Sequence, residues 1–543
     1  MDMSLGLDRL KFLKRLGAGT ATVAGIGTVG WPTLHSAVEA AAIDLLATGE
    51  RRAASYRARV RAAQLAKQRA RVSHPTNGDE ELYANKIACY SKGLPHNALG
   101  EVNLAAYGAL LLTALESGDP ADFEAVPMGL GRPLTNPQAG LAFDLEGPDS
   151  HHLEMRAAPT IAGAEGGGEM VELYWMALAR DVHFLDYDSD ATIAGACAEL
   201  SGLSDFRGPT SGGAVTPGTI FRGSTAGDLI GPYLSQFLWL DIPMGALLIP
   251  QTMNTVPAGV DYLTSFSDWL AVQNGLPPPA YALDPMPRYI RNQRDLGEWV
   301  HVDALYQAYH QACLILLGLG APVADGNPYK TSANQIGFGT FGGPHILSLV
   351  TEVATRALKA VWYQKWFVHR RLRAEAFGGL VHNTITGAAT YPVNSELLNA
   401  SAVGSVYDQY GSYLLPIAAP EGCPTHPSYG AGHATVAGAC VTILKAWFDN
   451  AFVLLDPVVP NADGTALEAF SGAALTVGNE LNKLAANVGI GRNALGFHYR
   501  SDYWDSLLLG EQLAIGILEE FKDCHNEGGS FAFTKFDGTA VAI

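Results

Sequence analysis

The chain has 543 residues, of which 48% are hydrophobic and 16% are charged, and its formal net charge is -18 at pH 7. This composition excludes a chain that is disordered throughout, because it provides enough apolar surface for a sizeable core. The negative charge argues against nucleic acid and against an anionic membrane surface as partners, because both repel an acidic protein. The longest apolar runs, such as 312–324, are too short to cross a bilayer, so we expect no membrane span.

Six cysteines are spread along the chain without a C-x-x-C pair. This spacing excludes a zinc ribbon and a scaffold held together by many disulfides. One or two disulfide bridges remain compatible with the sequence.

The N-terminal segment, 1–75, has two interpretations. Residues 9–14 (Arg-Leu-Lys-Phe-Leu-Lys) resemble a twin-arginine export motif whose second arginine is leucine, and a weakly apolar stretch follows at 17–30. The alternative is an arm that packs against the rest of the protein, so the compartment, cytoplasmic or exported, stays open. Residues 50–72 carry seven arginines and predict a helix with a solvated face or a subunit contact.

The remainder of the chain has helical periodicity. Between about 100 and 270, apolar residues recur at the 3.6-residue period, as in 105–115 and 169–179. A proline-rich run, 276–287, predicts a boundary between an N-terminal helical region, 76–288, and a C-terminal helical bundle, 289–543. In that bundle we expect helices at about 299–317, 347–376, 434–448 and 503–521. Strand-like alternation is scarce, so the predicted fold is mainly α with few short strands.

The predicted helix 347–376 carries a row of basic side chains. Trp362, Lys365, His369 and Arg373 are separated by three, four and four residues, which places them along one side of a continuous helix. Taken alone, this row is most simply a solvated basic face.

Two further segments favour a pocket for an oxyanion. Gly432 and His433 follow small residues at the start of a predicted helix, where free backbone N–H groups bind anions. Arg492 supplies a planar fork that matches oxyanion edges, and the imidazole of His498 can bind a high-valent metal or attack phosphorus. With Lys365, these groups provide the positive charge that a vanadate or phosphate ion needs to leave water.

In this order and spacing, the three segments resemble the vanadium-dependent haloperoxidases of the bacterial and algal bromoperoxidase type, which are related to the type 2 phosphatidic acid phosphatases. Other stretches also resemble that family, so the likeness covers most of the chain from about residue 80. These stretches are 93–101, 136–143, 221–225, 341–347 and 498–502.

The resemblance implies a role for each pocket residue. Lys365, Arg373, Arg492 and the backbone N–H of Gly432 would hold the equatorial oxygens of vanadate. His498 would bind vanadium axially. His433 would act as acid and base toward peroxide, so the implied catalytic residues are His433, Lys365 and His498.

The implied halide pocket gives a mixed signal. His426 matches a pocket histidine of bromoperoxidases, whereas Trp362 resembles the chloroperoxidase pattern. Ala431 stands where the family carries a serine that bonds an equatorial oxygen, and Ala374 replaces a proline. No motif of this chain matches the calcium sites of some algal relatives.

The family implies oxidation of bromide or iodide by hydrogen peroxide, halogenation of a small organic acceptor, and a homo-oligomer, either a dimer or a dodecamer. The first alternative is an acid phosphatase that forms a phosphohistidine at His498. It is disfavoured because the separation of Lys365 and Arg373 is one residue longer than in such phosphatases, and because a long region precedes the pocket. The second alternative, motivated by Ala431, is a non-catalytic oxyanion binder.

Overall fold

Helices dominate the regular structure of residues 48–543, which are the residues that this computed structural model describes. The fold is therefore mainly α, as predicted. The export-like motif predicted at 9–14 lies outside the described residues. The chain divides into two compact units, Met1–Arg57 and Ala58–Ile543. The boundaries at 75 and 288 stay predictions.

The N-terminal half of the described chain contains mostly short helices. They are α1 (Thr48–Gln68), α2 (Asp79–Leu82), α3 (Leu104–Gly108), α4 (Pro120–Glu124), α5 (Ala164–Leu178), α6 (Ala191–Gly202) and α7 (Phe266–Gln273). A π-helical stretch, Ala109–Leu115, continues α3. The periodic pattern overestimated helix between 203 and 265, because the only helical turn described there is Gln236–Leu238. Glycines and prolines interrupt that region and keep it irregular.

The C-terminal half contains the longer helices. They are α8 (Gln293–Val302), α9 (Gln307–Gly318), α10 (Gly343–Tyr363), α11 (Ala374–Thr386), α12 (Ser395–Leu398), α13 (Ser401–Tyr410), α14 (Gly432–Trp447), α15 (Val477–Ala494) and α16 (Arg500–Phe521). Strands form three antiparallel hairpins in the described chain, which pair β1 (Ile242–Met244) with β2 (Leu247–Ile249), β3 (Val458–Pro460) with β4 (Leu467–Ala469), and β5 (Ala532–Thr534) with β6 (Ala540–Ala542).

Helix α14 is the centre of the C-terminal bundle and packs against α10, α15 and α16. All of its residues except His433 are buried, as expected for an apolar helix surrounded by other helices. Its contact with α16 is a backbone contact, because a Cβ atom on Gly438 would collide with the carbonyl of Leu507, and one on Gly510 with that of Thr435. The start of α14, which carries His433, is thereby fixed on a rigid support.

The prediction of a single helix at 347–376 is wrong. Helix α10 ends at Tyr363 and continues as a π-helical turn, Gln364–His369. At Arg370 the backbone turns into the left-handed region, with φ at 41°, and the chain extends to the start of α11. Lys365 and Arg373 therefore lie on opposite sides of a break, and not along one face.

None of the six cysteines, all of which lie in the described part of the chain, forms a disulfide, so neither of the bridges that the sequence allowed is present. Five of them are buried, and Cys524 is exposed. Within the described residues, no helix is both long enough and apolar enough to cross a membrane.

Candidate active site

The predicted pocket residues meet where several segments of the bundle converge. Lys365 comes from the π-helical turn after α10, and Arg373 from the residue that precedes α11. Gly432 and His433 begin α14. Arg492 lies in the last turn of α15, and His498 in the connection to α16.

Lys365 is fully buried. Its Nζ donates hydrogen bonds to the carbonyl oxygens of Pro427 at 2.8 Å and Ser428 at 3.1 Å, and lies 5.6 Å from the ring centre of Trp362. Burial, followed by repulsion from the nearby Arg373 guanidinium, lowers the pKa of Lys365 well below its usual range. The ammonium group therefore lies in a place where a positive charge is costly without an anion.

Arg373 connects the two predicted pocket imidazoles. One of its Nη atoms donates to Nε2 of His498 at 2.9 Å, and the other donates to Nδ1 of His426 at 2.8 Å. Its Nε donates to the carbonyl oxygen of His426 at 2.8 Å. Because an arginine has only donors, both imidazole nitrogens that face it must be acceptors.

The tautomer of His498 follows from its two contacts. Nε2 accepts from Arg373, so the ring proton is on Nδ1, which lies 2.8 Å from Oδ2 of Asp502 and donates to it. Burial, and then the charge of Arg373, lower the pKa of His498 well below its usual range. The side chain is a neutral imidazole with a lone pair on Nε2, which is the form that ligates a metal centre.

Arg492 is also buried and incompletely bonded. One Nη donates to the carbonyl oxygen of Val300 at 2.6 Å, and the guanidinium lies 4.7 Å from the ring centre of Phe497. Its Nε is buried and has no hydrogen-bond partner in the described structure. Burial lowers the pKa of Arg492 to about 10.

His433 has a carboxylate partner that the sequence reasoning missed. Its Nε2 lies 2.8 Å from Oδ1 of Asp303, which follows the last residue of α8. Burial lowers the pKa of His433, and the nearby Arg492 adds to this effect, while Asp303 opposes it. The imidazole is therefore oriented through Nε2, which leaves Nδ1 for exchange of a proton with a ligand.

The predicted halide pocket is assembled beside these groups. The ring centres of Trp362 and His426 are 4.8 Å apart, and Nε1 of Trp362 donates to the carbonyl oxygen of Thr135 at 3.1 Å. Trp362 also contacts the start of α14, because a Cβ atom on Gly432 would lie 3.2 Å from its ring. The structure thus brings all eight predicted site residues to one place.

The charge of the pocket is unbalanced. Within residues 48–543, Lys365, Arg373 and Arg492 form no ion pair with a carboxylate, and their side chains donate to carbonyl oxygens and imidazoles. By contrast, the equally buried Arg371 is paired with Glu169 at 2.9 Å. Buried charges are normally paired, so this arrangement favours the binding of an anion.

Comparison with known proteins identifies the kind of protein that has this pocket. No family model matches the chain. A vanadium-dependent bromoperoxidase of Corallina pilulifera is 39% identical, over 90% of this chain and 98% of the relative. This chain belongs to the vanadium-dependent bromoperoxidase family. A vanadium-dependent bromoperoxidase of Ascophyllum nodosum is 37% identical, over 86% of this chain and 87% of the relative.

A solved bromoperoxidase structure has the same fold. It is the homohexameric second vanadate-dependent bromoperoxidase of Ascophyllum nodosum, which superposes with a TM-score of 0.88 at 29% identity. The match covers 98% of this chain and 95% of that chain. Family membership and the mainly α fold, both predicted from the sequence, are therefore confirmed.

One departure from the bromoperoxidase pattern lies within the pocket. Ala431, in place of the family serine, is the residue that precedes α14, and no side chain caps that helix. The remaining donors still fit a tetrahedral oxyanion such as vanadate, because the uncompensated cations and the first N–H groups of α14 supply positive charge and hydrogen bonds. No cluster of three or more His, Cys, Asp or Glu side chains suited to a metal ion occurs among the described residues.

Proposed function

We propose that this protein is a vanadium-dependent haloperoxidase, which oxidises bromide and iodide with hydrogen peroxide. In the overall reaction, a halide ion gives two electrons to hydrogen peroxide, a proton is consumed, and hypohalous acid and water are formed. The hypohalous acid then halogenates a small organic acceptor. The names of the relatives at 37–39% identity support this activity.

The observation that carries the proposal is the group of three buried cations without carboxylate partners. A phosphate or vanadate ion would supply the negative charge that Lys365, Arg373 and Arg492 lack. The unpartnered Nε of Arg492 is a further donor that is available to such an ion. We infer that these residues and the N–H of Gly432 hold the oxygens of vanadate.

Two imidazoles divide the remaining work. His498 offers the Nε2 lone pair to vanadium once Arg373 turns its N–H groups to the oxyanion, and Asp502 keeps the proton on Nδ1. His433 accepts a proton from peroxide on Nδ1 and returns it to the departing oxygen. Asp303 stabilises the imidazolium that forms in between, through its contact with Nε2 at 2.8 Å.

When bound, vanadate(V) supplies Lewis acidity toward peroxide without changing its own redox state. Lys365, which is buried and lacks a carboxylate partner, would stabilise negative charge that develops on a peroxide oxygen. Burial also excludes bulk water from the charged groups, which strengthens each of these interactions.

The test compares vanadate-free and vanadate-loaded protein in two assays. We expect vanadate-dependent bromination of monochlorodimedone, and no release of p-nitrophenol from p-nitrophenyl phosphate above that of a blank. The variant His498→Ala should lose vanadate retention and bromination together. Bromination that persists in His498→Ala would refute the role of His498 in holding vanadate, and phosphate ester hydrolysis by the wild type would favour the phosphatase alternative.

We assign the halide preference to the contact between Trp362 and His426. His426→Phe introduces the aromatic residue of the fungal chloroperoxidases, so it should raise kcat/KM for chloride relative to bromide. Steady-state turnover with chloride, bromide and iodide measures this ratio, and an unchanged ratio would contradict the assignment.

We also propose that the protein is a homo-oligomer, as supported by the homohexameric relative. The family resemblance implied a dimer or a dodecamer, and the homohexameric relative adds a hexamer. Multi-angle light scattering of the eluting peak distinguishes these masses from one another and from a monomer.

A further inference from the structure

A buried chain of charges leads away from the pocket behind His498. Asp502 accepts the proton of His498 Nδ1 on its Oδ2, while its Oδ1 accepts from Arg371 at 3.0 Å. The other Nη of Arg371 donates to Oε2 of Glu169 in α5 at 2.9 Å. Each of these side chains is at most 5% exposed.

Both Nη atoms of Arg371 donate hydrogen bonds, and none of these bonds goes to a residue of the predicted pocket. Its guanidinium lies 3.8 Å from the ring centre of Tyr499, and Nη1 also donates to Oγ of Ser501 at 2.9 Å. Glu169 in turn accepts a hydrogen bond from the backbone N–H of Ser501. The planar fork of an arginine suits this task, because it bridges two carboxylates with fixed geometry.

Asp502 and Arg373 together decide which nitrogen of His498 carries the proton, because Asp502 accepts from Nδ1 and Arg373 donates to Nε2. A carboxylate whose Oδ1 is fixed by Arg371 presents Oδ2 as an acceptor in a fixed position, and Oδ2 also accepts from the N–H of Tyr499 at 3.3 Å. Once Arg373 turns its N–H groups to an oxyanion, the hydrogen bond to Asp502 is what opposes the other tautomer of His498. That tautomer has no lone pair on Nε2.

We propose that Arg371 is a positioning residue for His498. It orients Asp502, which holds His498 as a ligand for the central atom of the oxyanion, and Glu169 anchors Arg371 in this place. The inference rests on the proposed function, because it assigns the purpose of the chain to ligation by His498. Its effect is on binding, since Arg371 itself contacts neither substrate nor cofactor.

The protein contains a matched control for this chain. Arg500, at the start of α16, donates through Nε to Glu172 of α5 at 2.8 Å and is as buried as Arg371. Glu169 and Glu172 are three residues apart in the same helix. Removing either arginine thus deletes a buried ion pair to α5, but only Arg371 contacts Asp502.

The experiment uses the full-length protein with ¹⁵N-labelled histidine. Vanadate-free spectra report the hydrogen bond from Nδ1–H of His498 to Asp502, and the His498 signals are assigned from their loss in His498→Ala. Equilibrium dialysis then measures the dissociation constant of orthovanadate. We expect Arg371→Gln to loosen this hydrogen bond, which moves the Nδ1–H proton signal of His498 upfield, and to weaken vanadate binding roughly 10- to 100-fold, the usual cost of losing a group that orients a ligand.

Arg500→Gln should leave both the His498 signals and the vanadate affinity unchanged, even if it lowers the thermal midpoint of unfolding as much as Arg371→Gln does. Arg371→Lys keeps a charge beside Asp502 and should retain the wild-type Nδ1–H signal of His498. If Arg371→Gln does not fold, Arg371→Lys still decides the matter, since the loss of the wild-type Nδ1–H signal in that variant contradicts the inference.

The inference is overturned if Arg371→Gln keeps the wild-type spectrum, or if Arg500→Gln weakens vanadate binding equally. Failure of the wild type to bind orthovanadate would overturn the proposed function instead. The comparison of the Nδ1–H signals is made without vanadate, so the two failures are distinguishable.

Discussion

Replacing Ala431 with serine adds a hydroxyl group at the residue that precedes helix α14. The backbone of Ala431 is extended, with φ at -84° and ψ at 123°, which is the conformation of a helix-capping residue. Its N–H donates to Oγ of Ser506 at 2.7 Å, and its carbonyl accepts from Oγ1 of Thr435 at 2.9 Å. The backbone is therefore held in place, in a conformation from which a serine side chain can cap the helix.

The two roles of the new hydroxyl have different magnitudes. As a helix cap in the vanadate-free protein, serine in place of alanine contributes about 1 kcal/mol to the free energy of unfolding. As a donor to a charged oxyanion, it contributes about 1.5–3 kcal/mol to binding. Because about 1.4 kcal/mol corresponds to a factor of ten, Ala431→Ser should bind vanadate about 10- to 100-fold more tightly than the wild type.

Equilibrium dialysis with orthovanadate measures the affinity, and urea unfolding of the vanadate-free protein measures the cap. Ala437→Ser is the control, because it adds the same hydroxyl to a buried residue of α14 further from its start. The control should not tighten vanadate binding. If Ala431→Ser leaves the dissociation constant unchanged while the protein remains folded, the interpretation of Ala431 as a missing oxyanion donor is wrong.

Two further predictions concern histidines. Asp303→Asn removes the charge that supports His433, so kcat for bromide oxidation should fall by roughly 10- to 100-fold, with a smaller change in vanadate affinity. Steady-state kinetics of the vanadate-loaded enzyme test this prediction, and an unaltered kcat would contradict it. Burial lowers the pKa of His369 to about 3 from 6.5, so the unfolded chain takes up this proton first as the pH falls, and the protein should lose about 2.5 kcal/mol of stability between pH 7 and pH 4.5. In urea unfolding, His369→Phe should lack that share of the loss, and an identical pH dependence in both proteins would count against it.

The sequence predicted which residues form the pocket but not how the chain brings them together. A continuous helix was expected to align Lys365 and Arg373, and no proline or glycine between them indicates a break. The break at Arg370 coincides with long-range contacts, since its carbonyl accepts from the N–H of Tyr90 and the next residue is paired with Glu169. Local periodicity cannot represent such partners, because they lie hundreds of residues away.

The two aspartates that contact the pocket histidines differ in their distance from those histidines along the sequence. Asp502 follows His498 by four residues, a spacing at which side chains meet near the start of a helix, although no role for this pair was predicted from the sequence. Asp303 meets His433 from a different helix, 130 residues earlier in the chain, and nothing near it indicates a role. The helices α14 and α16 were predicted within two or three residues of their bounds, because they are long and strongly apolar.

The uncompensated cations make the stability of this protein depend on its solution. Any tetrahedral oxyanion that enters the pocket relieves the mutual repulsion of Lys365, Arg373 and Arg492, and an ion present at one hundred times its dissociation constant adds about 2.7 kcal/mol to the free energy of unfolding. Phosphate or sulfate in a purification buffer would therefore raise the thermal midpoint and occupy the place of vanadate. A buffer that stabilises the stored protein in this way therefore also competes with vanadate for the pocket.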